Sequence, residues 1–314
     1  GVLGSAGDFQ ASLNLSGADS KGVSLGSATI KGEIACVWDI EGATGAIKAS
    51  TTGATWVLDA EGFVKSIDGA NGLAGNLSAL YFDKISSKGD LSAVITANGA
   101  DARKGTSIGA ITAGSAADLS ITVPGGIGAI TLIECVNSDQ TEDTITAAWI
   151  GKITTKGVRA NLARGVLGSA GDFQASLNLS GAGIASGKAV LGSAAVAGVW
   201  KAGSCEILGN VDKVTVGSMA GKLLLGCVAL SGNASDFAGN EFTLKSLTVK
   251  GIGGEYFRQD SQLGAWEIGS LTFGGQEPLP DGTIEFHELP RSKNVPGLAG
   301  NPVGNPGQYD LLEV

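Results

Sequence analysis

Residues 108–114 read IGAITAG, residues 127–133 read IGAITLI and residues 150–157 read IGKITTKG. The shared pattern is an apolar residue, Gly or a polar residue, a small residue or Lys, a second apolar residue, Thr and a third apolar residue. A polar residue and Gly often follow. Further copies are LGSATIKG (25–32), FDKISSKG (82–89), LGSAAVAG (191–198), VDKVTVG (211–217), LKSLTVKG (244–251) and IGSLTFGG (268–275), with weaker ones near Gly45 and Lys65. Many starts lie about 19 to 26 residues apart, with a longer gap between those at 211 and 244. A period near 20 built on short strands marks a coiled sheet, because helical repeats need ~33–47 residues.

The stretches around these copies alternate. In 8–16, Phe9, Ala11, Leu13 and Leu15 share one face, and Gln10, Ser12, Asn14 and Ser16 the other. Leu91, Ala93, Ile95 and Ala97 do the same, as do Val158, Ala160 and Leu162. Period two with one apolar face means strands buried on one side. Glycines flanking the runs are expected to supply corners at positive φ. A β-sandwich would place strands 8–12 residues apart without one motif recurring at twenty. The expected fold is therefore all-β: a parallel β-helix, or β-solenoid, of about twelve ~20-residue rungs, right-handed by the usual crossover chirality. It is expected to cover 1–275. One exact repeat stands out as well: GVLGSAGDFQASLNLSGA occurs at 1–18 and again at 165–182.

Composition agrees. Gly is 51 of 314 residues, and charged residues are 16% against an ordinary ~25%. Apolar residues at 43% set the chain apart from disordered ones. A net charge of −9 speaks against nucleic-acid and anionic-membrane partners, which need a basic footprint. No apolar run reaches the ~18–20 residues of a membrane helix, so no transmembrane segment is expected. The chain opens at Gly1 without Met or a basic-then-apolar leader, as expected of a segment from a longer or processed precursor.

Residues 276–314 differ. They hold six of the seven prolines and the only histidine, His287, and read as a Pro/Gly-rich arm that caps, links or bridges subunits. Within them, 282–289 has the pattern of one last strand.

Few residues suggest chemistry. With one His, a Ser-His-Asp or Cys-His arrangement lacks its base, and a Cys/His zinc site lacks ligands. Cys36, Cys135, Cys205 and Cys227 read as small buried hydrophobes, although Cys205 and Cys227 lie about one repeat apart, close enough for a disulfide between rungs. Asp39, Glu41, Asp59 and Glu61 recur one repeat apart. In stacked rungs they form two outward acidic ladders ~4.8 Å apart, solvated or holding a divalent cation such as Ca²⁺. Thr29, Thr112, Thr131, Thr154, Thr215, Thr248 and Thr272 share one outward repeat position, but these copies lack the two-column T-x-T array of an ice-binding face. Lys31, Lys88, Lys156 and Lys250 form a solvated row. Of Trp38, Trp56, Trp149, Trp200 and Trp266, a possible sugar platform, Trp38 and Trp149 share the parity of core residues.

The IGxITxKG units resemble the Gly-rich repeats of very large secreted and surface proteins of bacteria, planctomycetes among them. The resemblance covers about 1–275 and implies an extracellular β-helical protein with a structural or adhesive role. The expectation is a non-enzymatic rod or filament subunit at the bacterial cell surface, self-associating end to end through its solenoid ends and arm. It has no cofactor beyond the Ca²⁺ considered above, and glycans are candidate partners. The alternatives are a carbohydrate-active or carbohydrate-binding β-helix and, third, an ice- or surface-binding solenoid.

Overall fold

The computed structural model describes residues 7–139, 141–164, 167–185, 187–231, 233–237, 239–252, 256–258, 261–274, 282–286, 291–293 and 309–313. The chain divides into two compact units, Gly1–Ala147 and Ala148–Val314. Each is a parallel β-solenoid, in which the chain alternates between two ladders of parallel strands.

In the first unit one ladder stacks Leu13–Leu15, Val37–Ile40, Val57–Ala60, Gly72–Ala79, Asp90–Ala97, Ser120–Thr122 and Thr144–Ala147. The other stacks Val23–Thr29, Ala43–Ala49, Val64–Gly69, Phe82–Ser87, Thr106–Thr112 and Gly126–Leu132. In the second unit the first ladder holds Ser176–Leu179, Cys205–Ile207, Lys222–Leu225, Ser261–Gly264, Gly282–Phe286 and Tyr309–Glu313. The second holds Ile150–Thr155, Leu191–Trp200, Val211–Met219, Thr243–Val249, Ser270–Phe273 and Arg291–Lys293. The strand expected at 282–289 is present as Gly282–Phe286. Together with 291–293 and 309–313 it continues the ladders beyond Gly275; His287 lies outside the described residues.

The repeat becomes columns of like residues. Ile47, Ile67, Ile85, Ile111 and Ile130 are successive register partners, all at most 1% exposed. In the other ladder Trp38, Leu58, Leu77, Ile95, Ile121 and Ile145 stack in the same way. Each such side chain contributes roughly 1.5–3 kcal/mol by leaving water.

The motif departs from strict alternation in one place. Ile108 and Ile111 are three residues apart, yet both are buried, with Gly109 and Ala110 half-buried between them. The strand bends there, and the backbone of the preceding rung comes close. A Cβ on Gly109 would lie 2.4 Å from the Asp83 carbonyl oxygen, one on Gly128 2.3 Å from that of Gly109, and one on Gly45 1.7 Å from that of Gly26. Glycine at this position answers a close approach. The positive-φ corners fall elsewhere, at Gly22, Gly105 and Gly157 for example. Gly45→Ala is expected to lower stability by about 1–3 kcal/mol, the cost of overpacking, read as an earlier denaturation midpoint. An unchanged midpoint would show that the rungs spread freely at this bend.

The exact repeat takes the same local role in both units. Phe9 N donates to Glu33 O (2.8 Å) as Phe173 N does to Val199 O (2.9 Å). Asp8 Oδ1 accepts from Glu33 N (2.9 Å) as Asp172 Oδ1 does from Val199 N (2.8 Å). Burial differs. Phe173, Leu177 and Leu179 are at most 1% exposed, whereas Phe9, Leu13 and Leu15 are only half-buried.

The long gap between the copies at 211 and 244 is an insertion that folds back on the outer face of its own unit. Glu206, Leu224, Gly264 and Glu285 form an outward column there. Leu224 packs with Cys227 and Phe237 of the insertion, flanked by Leu230 and Trp266, so a small second core forms outside the solenoid.

Candidate functional site

The second ladder of the first unit carries a groove on its outer face, about 420 Å³ in volume. Lys48, Asp68, Ser86 and Thr112 line it from four successive rungs, as direct register partners. Lys84 lies two residues before Ser86 and Lys88 two after, and both also line the groove. The outward phase of the strands places Lys48, Asp68, Ser86 and Thr112, each of which follows an isoleucine of the core column; Lys84 precedes Ile85 in its strand, and Lys88 follows the strand's end at Ser87. Ser86 Oγ donates to Asp68 Oδ1 and fixes that carboxylate in the floor. Lys48, Lys84 and Lys88 are exposed. The ion pairs formed among the described residues join Lys104 to Asp83 and Asp101, Lys201 to Asp172, and Lys245 to Asp212. None involves the three groove lysines. The groove can therefore offer three ammonium groups, one carboxylate and two hydroxyls to a ligand.

Sequence reading missed this grouping. It placed Lys88 in a row with Lys31, Lys156 and Lys250; the groove also brings Lys88 together with Lys84 and with Lys48 two rungs away. The available signal was the column itself: Lys48, Asp68 and Ser86 stand at the outward repeat position that Thr fills in other copies.

The other candidates are placed as follows. Asp39 and Asp59 are register partners and exposed, flanked in their column by Asn14 and Ser78. Glu41 Oε2 accepts from Gly17 N at 2.9 Å, and Glu61 is exposed on the next rung. Among the described residues no three His, Cys, Asp or Glu side chains gather as a metal-holding group.

The tryptophans do not make a sugar platform. Trp38, Trp56 and Trp200 are at most 1% exposed, and Trp149 and Trp266 are half-buried. Trp38 meets Phe9 and Trp56 edge-on, with centroids 5.6 and 6.1 Å away. All four cysteines are buried and outside any disulfide, so Cys205 and Cys227 are not bridged. Cys205 stacks on the inward Leu177, whereas Cys227 belongs to the outer core. Burial pushes both thiols up to about 12, which keeps them protonated and unreactive.

The threonine column is broken. Thr112 pairs Thr131, and Thr215, Thr248 and Thr272 stack in succession, but Lys48, Asp68 and Ser86 interrupt it in the first unit and Ala195 in the second. A small two-column hydroxyl array lies in the other ladder instead. There Ser120 and Thr122 stack on Thr144 and Thr146, with Thr96 beside Thr122.

No family model, curated protein or solved structure matches this chain.

Proposed function

We propose that this chain is a structural and adhesive repeat protein of a bacterial cell surface, a rigid extracellular spacer that stacks with copies of itself into a rod or filament. The observation that carries the reading is the exact repeat at 1–18 and 165–182. One sequence makes the same backbone contacts twice, fully covered once and half-covered once. Phe9, Leu13 and Leu15 thus present the apolar face that Phe173, Leu177 and Leu179 bury. The strand Leu13–Leu15 is also hydrogen-bonded on one side only among the described residues, and so is Tyr309–Glu313. Open strand edges pair with other strands. A head-to-tail contact between unlike edges repeats without closing and gives a filament.

The test is light scattering over a concentration series, with electron microscopy of the same samples. The expected result is mass that grows with concentration, visible filaments, and loss of both in the Leu13→Asp/Leu15→Asp variant. A monomer at every concentration, or filaments indifferent to the variant, would remove the stacking edge from the account. A second reading, carbohydrate binding, is favoured by the lysine groove alone.

A further inference from the structure

We propose that the groove lined by Lys48, Lys84 and Lys88 binds a segment of acidic polysaccharide, taking its anionic groups on the three ammoniums and its hydroxyls on Asp68, Ser86 and Thr112. The inference rests on the adhesive half of the function proposed above and assigns that half a site and a ligand class.

Charge distribution is the first support. A chain of net charge −9 brings to one concave surface three lysines that have no ion-pair partner among the described residues. Three ammoniums against the one carboxylate of Asp68 leave the groove net positive, and a cleft of net positive charge concentrates anions. Spacing is the second. Lys48 stands two rungs from Lys84 and Lys88, roughly 10 Å at ~4.8 Å per rung. Lys84 lies in the strand Phe82–Ser87 and Lys88 just past its end, four residues on. Lysines distributed in this way suit an extended ligand carrying several separated anionic groups better than one compact anion.

The floor decides the class. Asp68 sits in the middle of the groove, held by Ser86. A DNA phosphodiester backbone has only acceptor oxygens and no donor to offer that carboxylate. A glycan alternates anionic groups with hydroxyls, and those hydroxyls can donate to the Asp68 carboxylate while Thr112 supplies a further polar contact. The volume, about 420 Å³, lies within the usual ~300–1,000 Å³ range of ligand sites. Lysine is a point charge without the planar fork of arginine, so it accepts carboxylate and sulfate alike.

Binding is measured by calorimetry with the whole chain against polygalacturonate, dextran sulfate and neutral dextran. The expected result is uptake of one or both acidic polymers, none of the neutral one, and weakening as salt rises. Preference between the two polymers separates a carboxylated from a sulfated source. The Lys48→Gln/Lys84→Gln/Lys88→Gln variant should lose at least tenfold in affinity. Lys152→Gln/Lys213→Gln, which removes two exposed lysines from the second unit, should bind as the parent does. The groove substitutions lie on exposed side chains, and matching thermal melts will show that the variant folds. No uptake of either acidic polymer, equal uptake of neutral dextran, or undiminished binding by the triple variant would each overturn the proposal. Calorimetry with polymer reads the groove and scattering without polymer reads the stacking edge, so one can fail while the other stands.

Discussion

Trp200→Ala is expected to lower the free energy of unfolding by about 3–5 kcal/mol, the range for truncating a large aromatic in a core. Trp200 is fully buried at the end of the strand Leu191–Trp200. Its ring lies 5.2 Å from that of Phe173, and its Nε1 donates to the Lys222 carbonyl at 2.9 Å. One side chain thus ties the second copy of the exact repeat to the next rung. Alanine would leave a cavity, strip Phe173 of its neighbour and remove the bond to that carbonyl. The indole nitrogens add a finer expectation. The Nε1 of Trp56 is buried without an acceptor among the described residues. Trp56→Phe therefore removes an unsatisfied donor, while Trp200→Phe breaks a bond, and the second should cost about 1 kcal/mol more. Chemical denaturation of the variants gives both comparisons. Equal losses for the two phenylalanine variants would mean that the Lys222 bond contributes nothing.

What the sequence made legible was whatever recurs in phase. The inward column Ile47, Ile67, Ile85, Ile111 and Ile130 follows from the copies of one motif, and so does the stacking of Asp39 on Asp59. Three features escaped because parity alone cannot place them. The bend at Gly109 turns two apolar residues three apart to the same side, against period two. Leu224 and Glu285 have outward parity, yet the insertion before Thr243 covers that face; the only sign was the longer gap between copies. The lysine groove depends on which rung meets which. Lys48, Lys84 and Lys88 stand at three different repeat positions and still share a surface. The exact repeat shows the same limit from the other side: Phe9 and Phe173, in identical sequence, make matching backbone contacts and differ in burial.

Acidification from pH 7 to about pH 4 should stabilise the fold through Asp143 by up to about 3 kcal/mol, and Asp143→Asn should abolish that gain. The carboxyl is 3% exposed. Oδ1 accepts from Leu119 N at 2.8 Å, and Oδ2 is buried without a partner among the described residues. Burial pushes its pKa from 3.8 to about 6. The Leu119 N–H opposes the rise, and the nearby charges of Asp118 and Asp139 add to it. Asp118 stays ionised there, because the hydroxyl and N–H of Ser138 hold its carboxyl below the usual range. The folded state thus binds the Asp143 proton more tightly than the unfolded chain does. Its contribution is fully present below about pH 4, declines as pH rises through about 6 and is absent at pH 7. A rise of about two pKa units corresponds to about 3 kcal/mol at 1.36 kcal/mol per unit. Asparagine keeps an oxygen for Leu119 N but has no charge to desolvate. The difference in stability between variant and parent should therefore change by up to about 3 kcal/mol between pH 4 and 7, because the other carboxylates contribute equally to both. The measurement is urea denaturation at half-unit pH steps. If the two slopes superimpose, the buried oxygen meets water in solution and Asp143 titrates as an ordinary surface carboxylate.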